Sequence, residues 1–160
     1  MDTGRFFNQK EIKNCTELTR QQLRTLEIKR FIEPRRNPLR YSLIDVIYCR
    51  LFYQLREIYS FQQLKLMILP SYEYGGDLLT KKYGFIKGLN KLELLDSLSK
   101  ENINKLEKSY YFREIKQFKD KFTDEYLDVE CCYVDLEGIR VEVIDRAYSS
   151  GVTSLTEKFA

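Results

Sequence analysis

Histidine is absent from this 160-residue chain. Its absence excludes Ser-His-Asp and Cys-His catalysis, acid–base chemistry by imidazole, and zinc sites that need a histidine ligand. The apolar stretches fall short of the ~18 residues that a membrane-spanning helix needs, and the first residues lack the apolar segment of a secretory signal. We therefore expect a cytoplasmic protein with no membrane partner, no cofactor and no catalytic residues, and so not an enzyme.

The four cysteines are also poorly arranged for chemistry. They are Cys15, Cys49, Cys131 and Cys132, and none of them forms a C-x-x-C pair. A disulfide framework is not expected without secretion. Because adjacent side chains of a strand point to opposite faces, Cys131 and Cys132 are badly placed to share an ion. We predict packing roles for them and no metal site, with metal or redox sensing by the C-terminal half as the alternative.

Positive charge is concentrated in the first half of the chain. Residues 1–70 contain thirteen Lys and Arg, nine of them arginines, against seven Asp and Glu, whereas residues 71–160 contain fourteen against seventeen. The planar arginine fork suits phosphate oxygens and guanine edges. This distribution favours a nucleic-acid partner for the first half, and the alternative is an ordinary uneven charge on a small domain.

One helix-start pattern occurs four times in the first seventy residues. An apolar residue and a capping residue are followed, three positions after the cap, by an acid or amide and then by another apolar residue. The caps are Asn8, Thr19, Ser42 and Ser60. They predict helices over 8–14, 19–29, 43–58 and 61–69, the third of them buried. Between the second and third helices, Pro34 and Pro38 favour an extended segment over 31–40.

Four segments in this region carry recognisable motifs: residues 18–27 (LTRQQLRTLE), 31–36 (FIEPRR), 40–46 (RYSLIDV) and 58–65 (IYSFQQLK). In this order and at these distances they resemble the motifs of the MerR family, a bacterial family of transcription regulators. The resemblance covers residues 7–68 and implies a winged helix-turn-helix domain that binds duplex DNA. Two glycines common in that family are replaced, by Glu17 and Arg30.

The second helix and the wing supply the predicted DNA contacts. Arg20, Gln21 and Gln22 suit base edges, because arginine pairs with guanine and glutamine with adenine. The resemblance assigns Arg24 to a phosphate, and the wing arginines suit phosphate or minor-groove contacts. Tyr41 is predicted chiefly as the apolar residue before a helix cap. The complete predicted set is Thr19, Arg20, Gln21, Gln22, Arg24, Arg35, Arg36, Arg40 and Tyr41.

The second half shows weaker patterns. Pro70 to Gly76 indicates a linker, and helical spacing of apolar residues predicts helices over 86–97 and 100–120. Alternating apolar residues at 127–133 and 139–143 predict a hairpin that turns at 135–138. The expected fold is mainly α: a winged helix-turn-helix domain over 1–70, a helical dimerisation or accessory region with a β-hairpin over 77–147, and a flexible tail over 148–160.

These observations predict sequence-specific duplex DNA binding by a homodimeric transcriptional regulator associated with the nucleoid. One alternative is an architectural or recombination-accessory DNA-binding protein. Another is a protein-interaction adaptor that has lost DNA binding, although an adaptor has no need of the basic excess. Whether a small-molecule effector binds is left open.

Overall fold

The computed structural model describes residues 6–72, 78–107 and 109–147, with the side chains of residues 69–72 excepted. The helices are α1 Gln9–Thr16, α2 Arg20–Ile28, α3 Leu43–Leu55, α4 Phe61–Tyr72, α5 Lys100–Leu106 and α6 Leu136–Ala147. The strands are β1 Phe6–Phe7, β2 Tyr41–Ser42, β3 Tyr83–Lys87, β4 Glu93–Leu95, β5 Tyr111–Lys119 and β6 Tyr126–Asp135.

The fold is mixed α/β, so the predicted mainly α class is wrong. The strands form two antiparallel sheets, one of β1 and β2 and one in the order β4-β3-β6-β5. The predicted helix over 86–97 is replaced by β3, a turn and β4. In that turn Gly88 has a φ of 62°, a left-handed conformation that glycine adopts without steric cost.

The predicted helix over 100–120 ends early. Only α5 is helical there, and β5 follows it with exposure that alternates along the strand. The predicted C-terminal hairpin is wrong, because its first strand, 127–133, lies within β6 but its second, 139–143, is helical. The hairpin of the structure is β5–β6, while residues 136–147 form α6. Leu136, Ile139, Val143 and Ala147 are buried at the three-to-four-residue spacing of one helix face. Exposed Val141 produced the misleading alternation.

The chain divides into two compact units. Unit 1 combines residues 1–60 with residues 137–160, and unit 2 comprises residues 61–136. The predicted linker over 70–76 falls partly within α4, which continues to Tyr72. Residues 73–77 and the predicted tail over 148–160 lie outside the described residues.

In unit 1 the helices begin where the capping pattern predicts. The side chains of Asn8, Thr19 and Ser42 accept hydrogen bonds from backbone N–H groups three residues later, at 2.8, 3.2 and 3.2 Å. Such bonds satisfy N–H groups that have no partner inside the helix. Ser60 directly precedes α4. The third helix, α3, is buried along most of its length, as predicted.

A buried arginine joins three helices of unit 1. Arg50 of α3 donates to the backbone oxygen of Thr16 at 3.2 Å, to Glu17 at 3.3 Å and to Glu142 of α6 at 2.9 Å. Arg146 pairs with the same two carboxylates at 3.1 and 2.9 Å. The guanidinium of Arg50 is almost fully buried, so these carboxylates offset the cost of removing its charge from water.

Unit 2 is built on the four-stranded sheet. Cys131 and Tyr133 of β6 pack with Leu106 of α5 at the centre of a cluster whose other members are partly buried: Tyr83, Phe85, Leu98, Phe112, Phe118 and Val129. Cys132, the neighbour of Cys131, lies outside that cluster and is fully buried. The four cysteines are all buried free thiols, as a packing role requires. Across the described ranges, no helix combines the length and apolarity needed to cross a membrane.

Candidate nucleic-acid interface

The predicted DNA-reading helix has two distinct faces. Leu23 and Leu26 of α2 are buried, three residues apart on one side of the helix. Arg20, Gln21 and Arg24 are exposed on the rest of its circumference. This division is the one that the spacing of apolar residues in the sequence predicts. Within the described residues, Arg20 and Arg24 make no ion pair, so their guanidinium groups face solvent.

The start of α2 is held by a reciprocal pair of hydrogen bonds. The Thr19 hydroxyl accepts from the Gln22 backbone at 3.2 Å, and the Thr19 backbone N–H donates to the Gln22 side-chain oxygen at 2.9 Å. Glutamine reads adenine by using its oxygen and its amide group together. Because the Gln22 oxygen is engaged in the capping box, Gln21 is better placed than Gln22 to read a base.

The segment predicted as extended is a short hairpin. The backbones of Arg35 and Arg40 exchange two hydrogen bonds at 2.8 and 2.9 Å, enclosing residues 36–39. The guanidinium of Arg36 forms an ion pair with Glu27 of α2. This ion pair brings the hairpin against α2, so the two predicted sets of basic residues belong to one surface.

The other two arginines of the hairpin are also anchored within the chain. The guanidinium of Arg35 lies over the Phe6 ring, 4.6 Å from its centre. Arg40 donates from Nη1 to the backbone oxygen of Leu39 at 2.9 Å and is half-buried. The hairpin therefore presents positive charge in fixed positions, whereas Arg20 and Arg24 on α2 have more freedom to follow a ligand.

Two non-glycine residues adopt left-handed backbone conformations at the ends of the candidate surface. Glu17, which ends α1, has a φ of 65°, and Arg30, which follows α2, has a φ of 63°. These are the positions where the resemblance leads us to expect glycine, so the bends are retained without it. Arg30 is exposed together with Lys29. Neither was in the predicted DNA-binding set, although both belong to the basic excess of the first half.

Tyr41 is the predicted contact residue that the structure places away from the surface. It lies in β2, opposite Phe7, and is 2% exposed. Burial raises the pKa of its hydroxyl. Val46, the second apolar residue of the helix-start pattern around Ser42, is also buried. Tyr41 therefore serves in the core, as the helix-start pattern predicts.

The surface formed by α2 and the hairpin is strongly basic. Residues 19–41 contain seven Lys and Arg against two Asp and Glu. One of the two acids, Glu27, is neutralised by its ion pair with Arg36. A surface with this charge attracts phosphate groups, and an exposed helix with Arg and Gln in its first turns can reach base edges.

Chemistry of other kinds has little support in the described ranges. No group of three or more Cys, Asp and Glu there is arranged to hold a metal ion. A shallow cavity of about 500 Å³ in unit 2 is lined by Phe85, Leu98, Tyr133 and small polar residues. Tyr133 is the ionisable residue of this lining, and its hydroxyl is engaged with Lys116 at 2.7 Å.

Comparisons of the chain with protein-family models, with curated proteins and with solved structures gave no match.

Proposed function

We propose that this protein binds duplex DNA through α2 and the hairpin closed by Arg35 and Arg40, and that it regulates transcription as a homodimer at the nucleoid. The observation that carries the proposal is the ion pair between Arg36 and Glu27, because it joins the two basic elements into one surface. The motifs shared with the MerR family and the succession of α1, a tight turn, α2 and the hairpin support the same function.

Base reading is assigned to the first turn of α2. In helix-turn-helix proteins the N-terminal residues of the second helix contact base edges in the major groove. Arg20 and Gln21 occupy that turn and are exposed. Arg24, one turn further on, and the hairpin arginines are assigned to phosphates, which position the protein without reading sequence.

Selection of bound fragments from random duplex DNA, at a stated salt concentration, tests the proposal. We expect an enriched motif and, in binding titrations, a log–log salt slope of roughly −4 per protomer, from about 0.9 for each of the four arginines assigned to phosphates. Binding that does not change between low and physiological salt, or selection without an enriched motif, contradicts sequence-specific recognition. Motif-free but salt-dependent binding indicates an architectural protein, and no binding indicates an interaction adaptor.

Single variants separate the two kinds of contact. Arg20→Ala and Gln21→Ala are expected to cost about 1–3 kcal/mol on the preferred site and little on random DNA. Arg24→Ala is expected to weaken binding to all duplexes and to reduce the salt slope by about one unit. Arg56→Ala, an exposed arginine after α3, is the matched control and should leave binding unchanged. Circular dichroism of each variant verifies that it is folded.

A further inference from the structure

Strand β5 is an edge of the four-stranded sheet, and its outer side is unpaired among the described residues. The backbone N–H of Asp120 donates to the backbone oxygen of Glu125 at 2.7 Å at one end of the hairpin, and the backbone N–H of Asp135 donates to the backbone oxygen of Tyr110 at 2.8 Å at the other. Because antiparallel partners alternate in their hydrogen bonding, the even-numbered residues of β5 bond to β6. The backbone N–H and C=O groups of the odd-numbered residues, with Ile115 at the centre, therefore point away from β6, toward the open edge of the sheet.

The sequence of β5 is complementary to itself about Ile115. When the strand is placed antiparallel to a second copy with Ile115 opposite Ile115, each residue meets a suitable partner. The pairs are Glu114 with Lys116, Arg113 with Gln117, Phe112 with Phe118, and Tyr111 with Lys119. Opposite charges and aromatic pairs directly across two strands stabilise a sheet. The Ile115 side chain is 72% exposed in the single chain, and in this arrangement it lies beside the Ile115 side chain of the second copy.

The alternation of backbone groups limits the possible registers. Hydrogen bonds form only where odd-numbered residues of one strand lie opposite odd-numbered residues of the other. A change of register that keeps them therefore moves the centre of the pairing by one residue. One such shift places Glu114 opposite Glu114, and the other places Lys116 opposite Lys116. Like charges directly opposite destabilise a strand pair. The register centred on Ile115 is therefore favoured over both of its neighbours.

We propose that β5 pairs with β5 of a second copy of this chain, antiparallel and centred on Ile115, so that two sheets become one continuous sheet. An unpaired edge strand is a template for another strand, and a twofold axis through Ile115 makes the contact closed and self-limiting. The inference supplies the interface for the homodimer in the proposed function. The pairing itself is supported by the sequence of β5. Only the role of the dimer in DNA binding rests on the proposed function.

Charges already present beside the edge favour this partner. Glu114 pairs with Lys116 at 3.2 Å and with Lys105 of α5 at 3.2 Å in the single chain. In the dimer Lys116 also faces the Glu114 of the second copy, and the same contact occurs again across the axis. The four central side chains then alternate in sign, so each charge has an opposite charge both along its own strand and across the interface.

Cysteine cross-linking in the full chain tests the register. In Ile115→Cys the two Cα atoms of the dimer lie ~5.5 Å apart, within the range of a disulfide. Arg113→Cys is the matched control, because its two copies are displaced by four residues, ~13 Å along the strands. The natural cysteines are buried. We expect mild oxidation to cross-link Ile115→Cys, but not Arg113→Cys alone. An equal mixture of Arg113→Cys and Gln117→Cys should also cross-link, because these two positions lie opposite each other. Cross-linking of Arg113→Cys alone, or none of Ile115→Cys, overturns the proposal.

Charge variants test the interface without cross-linking. Glu114→Lys and Lys116→Glu each place like charges across the axis, and we expect each to weaken dimerisation roughly tenfold or more in sedimentation experiments without DNA. Mixing the two variants restores opposite charges and is expected to restore the dimer as a heterodimer. Lys121→Glu, in the hairpin turn beyond β5, is the control with the same change of charge as Lys116→Glu.

A wild-type chain that stays monomeric at micromolar concentration, or single variants that dimerise as the wild type does, overturn the proposal. A dimer that passes both tests but binds no DNA contradicts only the proposed function.

Discussion

The left-handed backbone conformation of Arg30 can be tested by its effect on the free energy of unfolding. A left-handed conformation costs roughly 1–2 kcal/mol for a residue with a Cβ and little for glycine, and Arg30 has a φ of 63°. After allowance for the greater freedom of glycine in the unfolded chain, Arg30→Gly is expected to raise the free energy of unfolding by ~0.5–1 kcal/mol. Lys29→Gly, at a φ of −81°, is the control and is expected to lower it. Denaturant unfolding measures the free energy of unfolding of both variants, and a destabilised Arg30→Gly contradicts the left-handed conformation of Arg30.

Glu17 gives a dependence of stability on pH. Hydrogen bonds from Tyr53 and Arg146, with a smaller contribution from Arg50, lower the pKa of its carboxyl to about 2. The unfolded chain therefore binds more protons at Glu17 between about pH 5 and 2 than the folded chain does, so the stabilisation present above this window is lost as the pH falls through it.

We expect the free energy of unfolding to decrease less over this window in Glu17→Gln than in the wild type. The difference is on the order of 1 kcal/mol, because the side chain is nearly half exposed and solvent screens its partners. Unfolding followed at several pH values measures the slope, and equal slopes in the two proteins contradict this role of Glu17.

Part of the candidate site could be predicted residue by residue. The buried and exposed faces of α2 follow from local spacing, so Leu23, Arg20 and Gln21 lie where the sequence places them. The engagement of Arg36 with Glu27 could not be predicted, because it joins residues of different elements. The same holds for the cation–π contact of Arg35, since β1 is brought to the hairpin only by pairing with β2.

At the scale of elements, the helices of the first half were predictable, whereas β6 was the one strand of the second half that its own alternation, at 127–133, predicted. Capping side chains act within a few residues, so Asn8, Thr19 and Ser42 mark real helix starts. Strand β5 conceals its alternation, because its more buried face includes Glu114 and Lys116 while apolar Ile115 lies on the exposed face. Which face of a strand is covered depends on distant residues, and apolar spacing alone cannot supply that information.

The contacts of Arg50 link α1, α3 and α6, and their loss is expected to be costly. Arg50→Met leaves Glu142 without the buried cation, and we expect a decrease of roughly 3 kcal/mol or more in the free energy of unfolding. The double variant Arg50→Met with Glu142→Leu removes charge on both sides and should recover part of this loss. Denaturant unfolding of these two variants and of Glu142→Leu measures the coupling, and additive effects contradict a direct interaction between Arg50 and Glu142.

At the scale of the whole molecule, unit 1 is discontinuous in sequence. Residues 137–147 contribute α6, whose Glu142 and Arg146 complete the ion pairs around Arg50 and Glu17. We therefore expect residues 1–70 expressed alone to unfold without the cooperative transition of the full chain. Joining residues 137–147 to residues 1–60 by a flexible linker should restore cooperativity. Thermal unfolding followed by circular dichroism measures this, and a cooperative, equally stable 1–70 fragment contradicts it.

The insertion of unit 2 between the two parts of unit 1 also has a consequence during protein synthesis. A ribosome adds about 5–20 residues per second, so residues 61–136 take ~4–15 s to be made. During this interval unit 2 can fold as it emerges, because its sequence is continuous, whereas α3 waits for the carboxylate of Glu142. The helix that we propose reads DNA is translated early, and its supporting structure is completed only when α6 leaves the ribosome. A nascent chain should therefore complete the proposed DNA-binding surface only after α6 has been made.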